Sequence, residues 1–559
     1  MAGGLPAPRL PGRHTALALG VATGRALAEE WRASGPYRWA TSRPRPDGFA
    51  IQARDFRPID RDAGEAILAG AVVLGGQSLA VGVRGDPWDR PSPSRAFAEA
   101  LHRFDWLPNL IAAGPEGAAE ALRLVLEWRR HFGKWNSFAW APQIMARRVY
   151  HLACAGPALA ARASEAETAQ IATDLARQAR DLLFPGSIAE VAPRAAAAAV
   201  AGAALRGPAG RRLLARALAR LSRALDATVS ADGGHAARRA DLALELLFDL
   251  QTLDEALIQK GQAAPDAVQR AIDRLAASVR FATLDDGALT GFHGGRPSTA
   301  PYVAAARAQD ETGDRPTPAE LGGVQRMDSR AMQVVVDVAA PPAGAWALDA
   351  AAQPLGVEVL VGGHRLISGT GQGVTEGSTV EVGDAGLGRR LEGFAARVLG
   401  PRLVDADFAV EVQRHEAPGA LWLELAHHGW MRGHGLMHQR RLYLDLRAGE
   451  LRGEDRLTPT ARAQGPDGRH FVPYALRFPL APGVRALVSQ DRRSVLLRVE
   501  GVNEGWILRN DTLDIALEPL ARRGRPGSQL VLTGQRRADS GARVRWKLAP
   551  AQHPPASGG

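Results

Sequence analysis

The 559-residue sequence has one cysteine and almost no lysine, and each shortage removes a class of explanation. A lone Cys154 cannot close an intramolecular disulfide or build a cysteine-rich zinc site, and its apolar helical setting suits an inert thiol. Of 69 basic residues only Lys134, Lys260 and Lys547 are lysines, which leaves 66 arginines. No stretch approaches ~20 uninterrupted apolar residues, so no transmembrane span is expected. There is no zinc-finger spacing, no aromatic RNA-binding signature and no dense basic run, so nucleic acid is not an expected partner despite the formal charge of +10. No GxSxG elbow, Walker-type loop, dinucleotide-binding glycine fingerprint or HExxH helix occurs either.

What is present is an ordinary globular composition, 46% apolar and 23% charged, in a chain long enough for two or more cores. The arginines are spread along it and read mainly as a solvated surface, although their planar forks also suit carboxylate, sulfate and phosphate. The N-terminal stretch MAGGLPAPRLPGRHTALALGVATGRALAEEW starts basic, but its apolar run is short and interrupted by Gly20. It reads as an amphipathic first helix rather than a secretion signal.

Periodicity divides the chain. Residues 1–95 combine that helix with an irregular entry segment rich in Pro, Gly and Arg, including a strand-like pair near Ala71–Leu74 and Ser78–Val81. Residues 96–292 carry seven or eight apolar stretches near a 3.6 period, with breaks that hold Gly or Pro, which fits a toroid of helical hairpins. Residues 293–327 are polar and rich in Gly and Pro, as a linker would be. From Asp328 to 548 the apolar runs are short and alternating (MQVVVDV, GVEVLV, LWLELAH, SVLLRVE, RVRWKL), the pattern of a large antiparallel β-sandwich. Residues 549–559 read as a frayed, disordered tail. The expected fold is α+β multidomain: an α/α toroid followed by a β-sandwich.

Several stretches carry a family resemblance: DPWDRPSPSRAFAEALHRFDWLPNL (86–110), ADGGHAARRADLALELLFDL (231–250), DDGALTGFHGG (285–295), GVEVLVGGHRLISGTG (356–371), HHGWMRGHGLMHQRRLYLDLRAGELRGEDRL (427–457) and YALRFPLAP (474–482). They resemble the heparinase II/III-like family of polysaccharide lyases and together span most of residues 60–547. The resemblance implies a toroid plus sandwich and β-elimination on a uronate-containing, anionic polysaccharide. Such chemistry needs a group that neutralises the uronate carboxylate and an acid/base pair, usually Tyr and His.

The residues depart from that pattern. The run that resembles the family's H-A-H-A-D falls on Asp349-Ala350-Ala351-Ala352-Gln353. The Tyr-His pair after the aspartate-glycine turn registers on Leu242 and Ala243, and the R-F-H-L-H-P-like strand reads Arg477-Phe478-Pro479-Leu480-Ala481-Pro482. What remains is His235 as a proton carrier with Arg238 as carboxylate neutraliser, or, the reading preferred from the sequence, an Asp232 helix cap beside a surface His and Arg. Asn136 and Trp140 are candidate sugar contacts or core anchors, and Arg440 is a candidate anion contact or a surface charge. His427, His428, His434 and His438 lie within twelve residues, and a straight strand would put His434 and His438 on one face. No cofactor is expected; a divalent metal would need ligands from another strand. Two functions stay open, a lyase with a relocated acid/base pair and a catalytically silent protein that binds an anionic polysaccharide. The lack of a signal segment points to the cytoplasm and the resemblance to the cell envelope.

Overall fold

The computed structural model describes residues 12–310, 317–369, 377–383, 386–460, 471–522, 525–537 and 539–551. Its fold is an α/α toroid, an incomplete barrel of helical hairpins, followed by a large antiparallel β-sandwich. By internal contacts the chain forms two compact units, Met1–Val229 with Glu245–Leu275, and Ser230–Leu244 with Ala276–Gly559.

In the first unit the helices include Pro115–Phe132, Pro142–Ala160, Glu165–Leu182, Ile188–Ala204 and Gly207–Thr228, the first two opening on proline. Ser164 caps Glu165–Leu182 in a reciprocal capping box with Glu167. The alanine-rich helix Ile188–Ala204 is buried along most of its length, packing against Pro142–Ala160 and Gly207–Thr228. A Cβ on Gly202 would stand 2.6 Å from the Leu214 backbone nitrogen, so small residues are what permit this approach. The expected hairpin is present, with Ala71 opposite Ala80. Among the described residues no helix is long and apolar enough to cross a membrane.

In the second unit three sheets share one core. The eight-stranded sheet runs, in spatial order, Val410–Ala417, Ala420–His427, Leu436–Asp445, Glu450–Pro459, Ala542–Pro550, Gly505–Asn510, Ser494–Val499 and Val484–Val488. A four-stranded sheet is centred on Arg525–Arg537 and Phe471–Pro479, and a five-stranded sheet on Met332–Asp337 and Val357–Val361. Leu442, Leu444, Phe478, Leu532, Val334 and Val359, from all three, belong to the same apolar cluster. Arg414, on the outermost strand of the eight-stranded sheet, donates to the Arg326 carbonyl at 2.8 Å and to Gln325 at 3.2 Å on the five-stranded sheet.

The segment 293–327, expected as a linker, holds the helix Ala300–Arg307 and the strands Glu320–Leu321 and, from Val324, Val324–Asp328. Strand Ala542–Pro550 continues into the stretch read as a tail, of which residues 552–559 lie outside the described residues, as do 370–371 of the family-resembling stretch.

Candidate functional site

The sequence placed its catalytic candidates on the turn after Thr228, and the structure gives that turn a different job. Asp232 does not cap a helix. Its Oδ1 accepts the Gly234 N–H at 3.1 Å, its Oδ2 accepts the Gly322 N–H at 2.8 Å, and the helix begins only at Ala240. Gly233 supplies the positive φ of 101° that the turn requires.

Arg238, itself left-handed at φ 51°, is not a surface residue. Its Nε donates to the Gly322 carbonyl at 3.2 Å, Nη1 to those of Ala339 and Ala340 at 3.0 and 2.9 Å, and Nη2 to that of Gly323 and to Asp337 Oδ1 at 2.7 and 2.5 Å. All five N–H groups are spent, so none is left for a substrate carboxylate. Asp337 is buried, which opposes ionisation, but Arg238 and then His293 outweigh that and hold its carboxyl below the usual range. Nε2 of His293 lies 3.2 Å from Asp337 Oδ2, and burial lowers the pKa of this fully enclosed ring. His293 and Asp337 were not singled out from the sequence; the signal was a histidine at the end of the family-resembling stretch 285–295.

His235 is likewise buried. Its Nδ1 accepts the Ala237 N–H at 3.1 Å and its ring stands edge-on to Trp346, centroids 5.7 Å apart. Burial lowers its pKa to about 4, so it is neutral at pH 7. A neutral imidazole can accept a proton, but its nearest arginines are committed. Arg239 grips Asp241 through two bonds, at 3.0 and 2.6 Å, and also binds Asp349. Asp349 opens the run where the resemblance seeks histidines, and its next four residues, Ala350, Ala351, Ala352 and Gln353, are buried. Ala243 is buried too, as are Phe478 and Leu480 in the third matching stretch.

The expected binding residues do not come together. Asn136 closes a local turn, its Oδ1 accepting the Ala139 N–H at 2.7 Å. Trp140 is only 4% exposed, donates to the Phe132 carbonyl at 2.9 Å and carries the Arg177 guanidinium 4.7 Å from its ring, which leaves no face for a sugar. Both belong to the helical unit. Arg440 is fully buried in the sandwich, donating to Asp455 at 2.7 Å and to the carbonyls of Leu355 and Ser378 at 2.6 Å each, so it is no surface anion contact. His434 ends the short helix Met431–His434 and therefore does not continue the strand that carries His438. His438 Nε2 lies 2.8 Å from Asp455, which also accepts from Trp546 Nε1 at 2.9 Å. Among the described residues no group of three His, Cys, Asp or Glu is placed to hold a metal.

Residues 312–547 match the family described as Heparinase II/III-like, C-terminal. FtsZ-localized protein C of Caulobacter vibrioides (strain NA1000 / CB15N) is 46% identical over 547 residues, spanning 94% of this chain and 94% of that one. The chain belongs to the heparinase II/III-like family. The family fold is also seen in solved structures. A heparinase III structure superposes with a TM-score of 0.67 at 12% identity, over 93% of this chain and 91% of that one. A mutant of the heparan sulfate lyase HepC from Pedobacter heparinus gives 0.57 at 14% identity, over 93% and 88%. At such identities the likeness carries the fold, and the side chains above must speak for the chemistry.

Proposed function

We propose that this heparinase II/III-like protein is a binding protein that holds an anionic polysaccharide without cleaving it. One observation carries the reading: the positions that resemble the family's acid/base residues hold Leu242, Ala243 and Asp349–Gln353, while Arg238, the neighbouring candidate neutraliser, has every N–H engaged. Elimination needs a carboxylate neutralised and a proton moved. The remaining candidate, His235, is neutral, and the neighbouring Arg239 is bound to Asp241 and Asp349. The ligand class rests on family membership. The test is the absorbance of unsaturated uronate ends across a panel of acidic glycans, with and without divalent metal, run beside a binding assay on the same glycans. Retention of a glycan without an absorbance rise is expected; a sustained rise would overturn the reading.

A second reading concerns place. The identity of 46% across nearly the whole of both chains supports a location with FtsZ, as the relative's name states for that protein. A fluorescent fusion imaged together with FtsZ is expected to coincide with it, and a uniform signal would refute this.

A further inference from the structure

The outer face of the eight-stranded sheet carries a groove that none of the expected site residues enters. Its form follows from the strand registers. One row crosses six strands, His415, Trp422, Tyr443, Arg452, Lys547 and Arg509, each opposite the next. Two residues along the strands, a second row runs Glu424, Arg441, Glu454 and Arg545. Opposed residues, and residues two apart on one strand, share a face, so both rows stand on the same outer side. Between them the backbone around Gly453 and Trp546 makes the floor, and the walls enclose about 590 Å³.

Beneath the floor, on the inner face, Gly453 lacks a side chain, and a Cβ there would stand 2.1 Å from the buried Trp546 ring. The first wall is a column of planar groups. His415 stacks on Trp422 at 5.1 Å, Trp422 on Tyr443 at 6.3 Å, and the Arg452 guanidinium lies 5.6 Å from the Tyr443 ring. The ring faces are therefore spent on one another, and the groove offers ring edges and aliphatic stems. Five cations line it against two carboxylates, Glu454 and Asp511, while at its rim Glu424 pairs with Arg441 and Glu450 with Arg452 and Lys547, which leaves a net positive groove. Arg441, Arg452 and Arg545 are each more than half exposed.

These features choose among anionic ligands. Bases and sugars want an open aromatic plane, which is absent here. A dense polyanion would press charge onto Glu454 and Asp511. A sparser acid with apolar groups between its charges would meet neither objection. We propose that the groove docks an extended acidic peptide segment in which carboxylates alternate with apolar side chains. An extended strand places successive side chains on opposite sides, so one set reaches the arginines while the other packs on ring edges and stems. The four strands that floor the groove span roughly 14 Å, room for four or five extended residues.

The proposal does not rest on the absence of lyase activity, and its test is separate. Full-length protein is titrated against a fluorescein-labelled peptide of alternating glutamate and leucine, read by anisotropy, with a lysine–leucine peptide, heparin and oligo(dT) alongside. The acidic peptide is expected to bind, more weakly at high salt, and the lysine peptide not to bind. Arg452→Glu with Arg509→Glu is expected to weaken binding about tenfold. Asp511→Asn keeps the acceptor oxygen for the Arg545 N–H and removes a repelling charge, so it is expected to tighten binding about threefold, a gain that misfolding cannot imitate. No binding of the acidic peptide, an unaffected double variant, or a preference for heparin or oligo(dT) that the double variant abolishes would each overturn the assignment.

Discussion

Nε2 of His427 meets Nδ1 of His438 at 3.0 Å across two neighbouring strands, and the surrounding bonds fix where the protons lie. The Gly429 N–H points at His427 Nδ1 from 3.1 Å, so that nitrogen accepts and Nε2 carries the hydrogen. His438 Nδ1 must then accept, and its Nε2–H donates to Asp455. Both rings are neutral in this chain, and Asp455 is ionised.

A pH dependence follows. Burial lowers the pKa of His427 and of His438, and for His427 the neighbouring His438 and Arg440 add to it. The unfolded chain, with histidines near the ordinary value of about 6.5, takes up protons first on acidification. The stability that these rings contribute is fully present above that value and is lost progressively as pH falls below it. Denaturant midpoints measured from pH 8 down to pH 5 are expected to fall within that window, and more shallowly for His427→Leu. A midpoint independent of pH would contradict the assignment.

Asp455 gathers Arg440, His438 and Trp546 onto one carboxylate, and all four side chains are buried. Asp455→Ala would leave the Arg440 charge uncompensated in the core, at a cost of about 3–5 kcal/mol. Equilibrium unfolding checks this, and a variant as stable as the parent would be inconsistent with an ionised Asp455.

Arg238→Ala is expected to act on stability. It removes the guanidinium that joins four backbone carbonyls to Asp337, and strands that carboxylate. A loss of about 3–5 kcal/mol should appear in thermal or denaturant unfolding. Arg238→Lys, with one point charge in place of a planar fork, should recover only part of it. Full stability in the alanine variant would return Arg238 to the list of free cations.

Trp140→Ala separates a core anchor from a sugar platform. The ring is buried under Arg177, so truncation should cost about 3–5 kcal/mol and leave glycan retention unchanged wherever the protein stays folded. Lost retention at undiminished stability would reverse the conclusion.

Gly453→Ala should destabilise by about 1–3 kcal/mol, because the Trp546 ring must move to admit a methyl group. Unfolding midpoints measure it, and an unchanged midpoint would mean that the ring yields without resistance.

The succession of helices and strands could be read from periodicity because burial imposes it. Met332–Asp337 is buried at every position, although Gln333 and Asp337 interrupt its apolar residues, whereas Leu436–Asp445 buries every second residue, as alternation requires. Arg440 shares the parity of Leu442 and Leu444, so its inward direction was written in that alternation. Its partner was not, because Asp455 stands opposite only once the turn between Asp445 and Glu450 sets the register. The same holds for the groove, whose rows exist only after six strands are aligned. Arg238 was harder still, since four of its five partners are carbonyls, which every residue possesses and no sequence pattern marks.

The Arg414 bond to the Arg326 carbonyl has a bearing on self-association. An outermost strand ordinarily offers a free ladder to which another chain could add. Here a cation from that rim is fastened onto the adjoining sheet, and Glu411, His415 and Glu416 stand on the same strand, so a second molecule adding there would bury charges as new ladder bonds formed. The rim is thereby guarded against stacking into fibrils at high local concentration.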